Sequence, residues 1–108
     1  MMTNLDILEM LKANLEIATK THDTYLSQLL EVGYKQIIEE GISIEKVDAP
    51  EGASYTYTID NIQDVNLIVM YAAYLYRKRA DENAPQMPRM LRYALNNRLF
   101  SQKIRGES

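Results

Sequence analysis

His22, the single histidine of this 108-residue chain, stands beside Asp23. An imidazole next to a carboxylate is a minimal general-base arrangement, but it needs a nucleophile or a substrate proton within reach. Nothing nucleophilic is placed by sequence to use it, and a histidine in the first turn of a helix is more simply a solvated one. Glu39 and Glu40 are adjacent, so on a helix their carboxylates diverge, a poor arrangement for paired-carboxylate chemistry. Four glycines do not build a phosphate-cradling loop. No His, Asp and Glu grouping has metal-ligand spacing, and a chain without cysteine has neither a thiolate site nor a disulfide. These residue types point to no catalytic, cofactor-binding or metal site, and hence to no enzyme. What they do offer is charge: the run Arg77-Lys78-Arg79, then Arg89 and Arg92, set against acids such as Glu31, Glu39 and Glu40.

That charge is unevenly spread. Residues 1–60 carry eleven acids and four bases, whereas residues 61–108 carry four acids and eight bases. Charges fall where helices are solvated, which is one account of the asymmetry. The other is a surface that meets an opposite one, on nucleic acid or on a neighbouring copy. A hydrophobic content of 46% with 25% charged residues fits a globular chain, and its length allows one modest core. The segment "MMTNLDILEM" lacks the basic start and apolar stretch of a signal peptide, so a cytoplasmic product is expected.

Four helical segments and one extended stretch must position these charges. The first helix begins at Thr3 or Asn4, either a good N-cap, and runs through "LDILEMLKANLEI" with Leu5, Leu8, Leu11 and Leu15 as its stripe. A second helix spans Thr21 to Gly41, with Leu26, Leu29, Leu30, Gly33, Ile37 and Ile38 on one side. Gly33 in mid-helix predicts close approach of another backbone, and Gly41 a left-handed C-cap. Residues 42–59 change character. "ISIEKV" and "SYTYTI" alternate around the turn chemistry of "DAPEGA", which predicts a small hairpin leaning on the helices or on a partner.

The third helix opens at Asp60, with Gln63 completing a capping box. Its stretch "NLIVMYAAYLYRKR" has ten residues, Leu67 to Tyr76, without a charge, whereas spanning a bilayer takes about 20. One face holds Ile62, Val65, Ile68, Val69, Ala72, Leu75 and Tyr76, and the other holds Leu67, Met70, Tyr71 and Tyr74. A helix apolar on both sides must be covered on both sides. The rest of the domain supplies one cover; the last helix or another subunit supplies the second. Tyrosine and methionine are enriched at interfaces, which makes Tyr71 and Tyr74 candidate contact residues. Arg77, Lys78 and Arg79 suit the negative end of the helix dipole. After the break "ADENAPQMP", Pro88 starts the fourth helix, with Met87, Met90, Leu91, Ala94, Leu95 and Leu99 inward and Arg89, Arg92 and Arg98 elsewhere. The expected fold is therefore mainly α: one compact four-helix domain over 1–108, with a short extended or hairpin excursion at about 42–59 and a flexible tail at about 104–108.

Taken together, the helix "LDILEMLKANLEI", the helix "THDTYLSQLLEVGYKQIIEEG", the irregular stretch, and "DVNLIVMYAAYLYRKRADENAPQMPRMLRYALNNRLF" resemble the small head–tail connector proteins of tailed phages and prophages. These are also called head-completion or DNA-packaging proteins. The resemblance runs over roughly residues 4–103 and is densest over 64–100. It is a resemblance of helices and apolar positions, with no catalytic signature. It implies a virion protein that assembles as a ring of about twelve copies beneath the portal. Such a ring extends the DNA channel, helps retain the genome and docks the tail or a stopper protein, with assembly in the bacterial cytoplasm and no membrane or cofactor. Genomic DNA would pass through without sequence-specific binding, and net acidity suits that passage. Ring contacts are heterologous, one face meeting a different one. An acidic half and a basic half could supply those two faces, with Arg77, Lys78, Arg79, Arg89 and Arg92 meeting Glu31, Glu39 or Glu40 of a neighbour.

Two other classes remain open. A small helical DNA-binding regulator would use the basic C-terminal half, where Tyr93 and Phe100 interleave with the bases. Against it, residues 81–87 have prolines and acids where a helix-turn-helix places a short glycine-containing turn. A monomeric adaptor for one protein partner is the other.

Overall fold

The computed structural model describes residues 2–80 and 87–104. In chain order these form β1 (Met2–Thr3), α1 (Asn4–Leu15), α2 (Asp23–Glu39), β2 (Val47–Asp48), β3 (Tyr57–Ile59), α3 (Ile62–Ala80) and α4 (Arg89–Ile104). The mainly helical expectation and the position of the hairpin both hold. Residues 81–86 and the expected flexible tail beyond Ile104 lie outside the described residues.

The helix ends follow local chemistry. Thr3 caps α1: its Oγ1 accepts from the Asp6 amide at 3.1 Å, and its own amide donates to Asp6 Oδ2 at 3.0 Å, a complete capping box. Asn4, the other candidate cap, instead accepts from the Thr56 amide at 2.7 Å and ties α1 to the hairpin. Glu16, in the left-handed region at φ 58°, ends α1. Gly41 ends α2 as its spacing predicts, with φ 99°. The Gly41 amide donates to Ile38 O and the Ile42 amide to Ile37 O, the paired bonds of a Schellman turn.

Several boundaries differ from the sequence reading. α2 starts at Asp23 rather than near Thr21. The cap of α3 is Asn61, whose Oδ1 accepts from the Gln63 amide at 2.9 Å and the Asp64 amide at 3.4 Å, so the helix begins at Ile62 and not at Asp60. Pro88 precedes α4, its carbonyl accepting the first helical bond from Arg92. In α1 the buried apolar residues are Ile7, Leu8 and Leu11, while Leu5 faces solvent: Asn4 and the β1 pairing set the helix phase. Ile38 and Ile62 are likewise exposed.

The extended stretch is a hairpin with a third strand added. β3 is central, pairing antiparallel with β2 (Val47 opposite Thr58) and with β1 (Met2 opposite Ile59). Ile59 is fully buried, and Lys46 lies between the rings of Tyr34 and Tyr57, 4.6 and 4.3 Å from their centroids. The hairpin thus leans on the helices, as a lone two-stranded ribbon must. Ile42 and Ile44 alternate inward, but 42–44 joins no strand, because the Ser43 amide and carbonyl bond to side chains of α4.

α3 is the central helix. Val65, Leu67, Ile68, Val69, Tyr71, Ala72 and Ala73 are all buried, so both apolar sides are covered in mid-helix within the chain. α2 supplies one cover at Gly33. A Cβ built there would lie 3.5 Å from Ala72 N and Tyr71 Cβ and 3.6 Å from Ile68 O. α4 supplies the other, through Leu91 and Leu95.

A methyl group at position 33 therefore fits in ordinary contact, and anything larger meets the α3 backbone. In urea unfolding, Gly33→Ala is expected to be neutral or to stabilise by up to about 1 kcal/mol. Gly33→Leu is expected to destabilise by about 1–3 kcal/mol through overpacking.

Candidate interaction surface

Two side chains one turn apart on α4 fix its orientation. Arg98 Nε donates to Asp64 Oδ1 on α3 at 2.8 Å, and Arg98 Nη2 donates to the Ser43 carbonyl at 2.9 Å. Gln102 Oε1 accepts from the Ser43 amide and Gln102 Nε2 donates to the Gly41 carbonyl, both at 2.7 Å. Arg98, Asp64 and Gln102 are all buried. Arg98 was expected to point away from the core; it instead shares the inward face with Leu91, Leu95 and Gln102, because Asp64 gives its charge a buried partner.

With that face turned inward, the opposite face of α4 looks out. Met90, Tyr93, Phe100 and Ile104 are 76, 65, 66 and 70% exposed and share one side of the helix at helical spacing. Arg89, Arg92 and Lys103 lie along one edge of them, and residues 89–104 contain no acid. Met90, expected in the core, belongs to this outer stripe. Its inner edge borders a groove of about 300 Å³ that Asn14, Met70, Tyr74, Arg77 and Leu91 also line.

The predicted contact residues do not form a single patch. Arg77 Nη2 donates to Asn14 Oδ1 at 3.2 Å and so turns towards α1. Arg79 stacks on the Tyr25 ring of α2 at 4.8 Å, and Lys78 approaches Tyr74 at 5.7 Å. Consecutive helical residues project in different directions, so the run divides among three neighbours. Arg92 lies 3.7 Å from Glu40 of the same chain. Arg89 and Glu39 are exposed, and Glu31 is half-buried beside Lys46 and Tyr57. Tyr71 is only 7% exposed and is a core residue, so it offers little to a neighbour; Tyr74 is half-buried with its ring 6.0 Å from that of Tyr71. His22 is exposed, and Asp23 is held by Lys12 Nζ at 2.9 Å. Among the described residues no three His, Cys, Asp or Glu side chains group to hold a metal, and no helix is long and apolar enough to cross a membrane.

Sequence reasoning missed both the Arg98–Asp64–Gln102 cluster and the outer stripe. The stripe had a signal: 90, 93, 100 and 104 fall on one side of a helical wheel, opposite Leu91 and Leu95. Asp64 and Arg98 are 34 residues apart, and nothing local links them. No family model, curated protein or solved structure matches this chain.

Removing one partner of a buried ion pair strands the other charge. Arg98→Ala or Asp64→Ala is expected to cost about 3–5 kcal/mol in urea unfolding, and the double variant Asp64→Leu/Arg98→Met much less than the two losses added. Burial first, then the Glu40 carboxylate, raises the hydroxyl pKa of Tyr71; burial and then Glu31 raise that of Tyr57. A raised folded-state pKa means stability that is intact below the unfolded value of about 10 and falls as pH rises through the folded one. Circular dichroism above about pH 10 is expected to show alkaline unfolding that Tyr71→Phe shifts to higher pH.

Proposed function

We propose that this chain is a non-catalytic structural subunit of a phage or prophage virion, of the head–tail connector kind that its sequence resembles. In this reading copies of it form a ring beneath the portal, extend the DNA channel and dock the tail or a stopper protein. Its partners are then itself, the portal and the tail protein, with genomic DNA passing through unread. It works at the head–tail interface after assembly in the bacterial cytoplasm. The observation that carries the reading is the outer side of α4, an apolar stripe left uncovered on a helix whose other side is already packed. Exposed large apolar side chains gathered on one side of a helix are often an interaction site. The unequal charge of the two halves of the chain supports contacts between unlike faces, as ring closure requires.

A second reading draws on the same helix. Arg89, Arg92, Tyr93, Asn96 and Asn97 line one shallow depression. Arginine and asparagine are the side chains that read guanine and adenine edges, so a small DNA-binding regulator is the alternative function.

Electron microscopy of particles made without this gene distinguishes the two. Separate heads and tails, with heads empty or leaking DNA, are expected. Intact tailed particles, together with duplex binding that weakens steeply with salt, would favour the regulator.

A further inference from the structure

The outer stripe of α4 calls for an occupant that offers apolar surface together with carboxylates for the cations along its edge. A second α4 does not qualify. Pairing the stripe with itself places Arg89, Arg92 and Lys103 opposite the same cations, with no acid on either helix between residues 89 and 104. The chain does carry a surface of the required chemistry on α1. Leu5, Asp6, Glu9 and Ala13 are exposed and share the side of α1 opposite Ile7, Leu8 and Leu11, and Glu16, just past the helix end, is exposed as well. The one base of that helix, Lys12, is buried and turned to Asp23, so the charges α1 presents on this side are carboxylates alone, with Glu9 between Leu5 and Ala13. α1 and α4 both pack on α3, and among the described residues their outer faces stay exposed.

We infer that the outer face of α4 in one copy docks on the outer face of α1 in the next, with its apolar side chains over Leu5 and Ala13 and its cations, Arg89 and Lys103 among them, towards the carboxylates Asp6, Glu9 and Glu16. The contact is heterologous: each copy offers α4 on one side and α1 on the other, so the same pairing repeats from copy to copy. Four exposed side chains of these types present apolar area on the order of 500 Å², enough for the centre of one side of a standard interface of about 800 Å² per partner. The basic and acidic flanks form its rim, where they set direction and exclude the α4-to-α4 arrangement. This rests on the reading of the chain as a self-assembling subunit, and it names the two surfaces that meet.

Charge exchange between two variants tests it. One carries Arg89→Glu and Lys103→Glu on α4; the other carries Glu9→Lys and Glu16→Lys on α1. All four positions are exposed, so circular dichroism is expected to show both folded. Light scattering coupled to size exclusion at low ionic strength is expected to show concentration-dependent association of the wild type. Each variant alone should run as a monomer, and an equimolar mixture should associate again, because every α4 then faces an α1 of opposite charge. Adding Phe100→Glu to both variants should abolish association of the mixture. A mixture that stays monomeric while the wild type associates overturns the α4-to-α1 contact and leaves self-assembly through another surface standing. Association unchanged by Phe100→Glu does the same. A wild type that is monomeric at every concentration overturns it too; if virions lacking the gene still fall into heads and tails, the connector reading survives that result. Binding of α4 to duplex DNA or to anionic vesicles, lost with Phe100→Glu, would give the stripe to a different occupant.

Discussion

A buried arginine next to a buried aspartate governs how this chain closes. Arg98 brings a full positive charge into the domain interior, and Asp64, in the first turn of α3, brings the compensating negative one. Desolvating two ions is costly, and their attraction repays it only with good geometry and further hydrogen bonds. Both conditions are met, since Arg98 also donates to the Ser43 carbonyl and Gln102 occupies the neighbouring polar groups. Apolar contacts at Leu91 and Leu95 alone would let α4 slide or rotate along α3. A charge held by Asp64 and by the Ser43 carbonyl fixes its position, and that position decides which residues of α4 face outward.

This dependence explains what was legible beforehand. Periodicity found the four helices, turn chemistry found the hairpin, and Gly33 and Gly41 announced a close approach and a helix end that both exist. These are signals carried by one segment. The choice of Asn61 over Asp60 as the cap, and the burial of Ile7 in place of Leu5, turn on helix phase, which β1 and the hairpin set from elsewhere in the chain. Arg98 was read as a solvent residue because charge predicts exposure unless a partner is known, and its partner is 34 residues away. The candidate contact residues fared unevenly for the same reason. Adjacent in sequence, Arg77, Lys78 and Arg79 are separate in space, whereas Met90 and Ile104, far apart in sequence, lie on one face.

The dimensions of the domain make outward faces unavoidable. It measures 43 × 42 × 19 Å, and 19 Å is about two helix diameters. In so thin a slab only α3 can be surrounded, and it is the helix whose middle is apolar on every side. The other helices each keep one side to solvent. On α1 that side is acidic, whereas on α4 it is apolar with basic margins. Unlike surfaces on two helices that share a central neighbour give the molecule a polarity, from an acidic side to a basic one, that the net charge of −3 conceals.

Three hydrogen bonds from Arg98 and Gln102 to residues 41–43 reach main-chain atoms: the Gly41 carbonyl, the Ser43 amide and the Ser43 carbonyl. Peptide groups are common to every residue except for proline's missing amide hydrogen. These bonds therefore place no demand of their own on the side chains of the held segment, where Gly41 is kept by its left-handed backbone and Ile42 by burial. A distant relative of this protein would then be recognised by an aspartate in the first turn of one helix and an arginine and a glutamine four residues apart on the next. The stretch that those side chains grip would keep a glycine at the helix end and an apolar residue after it.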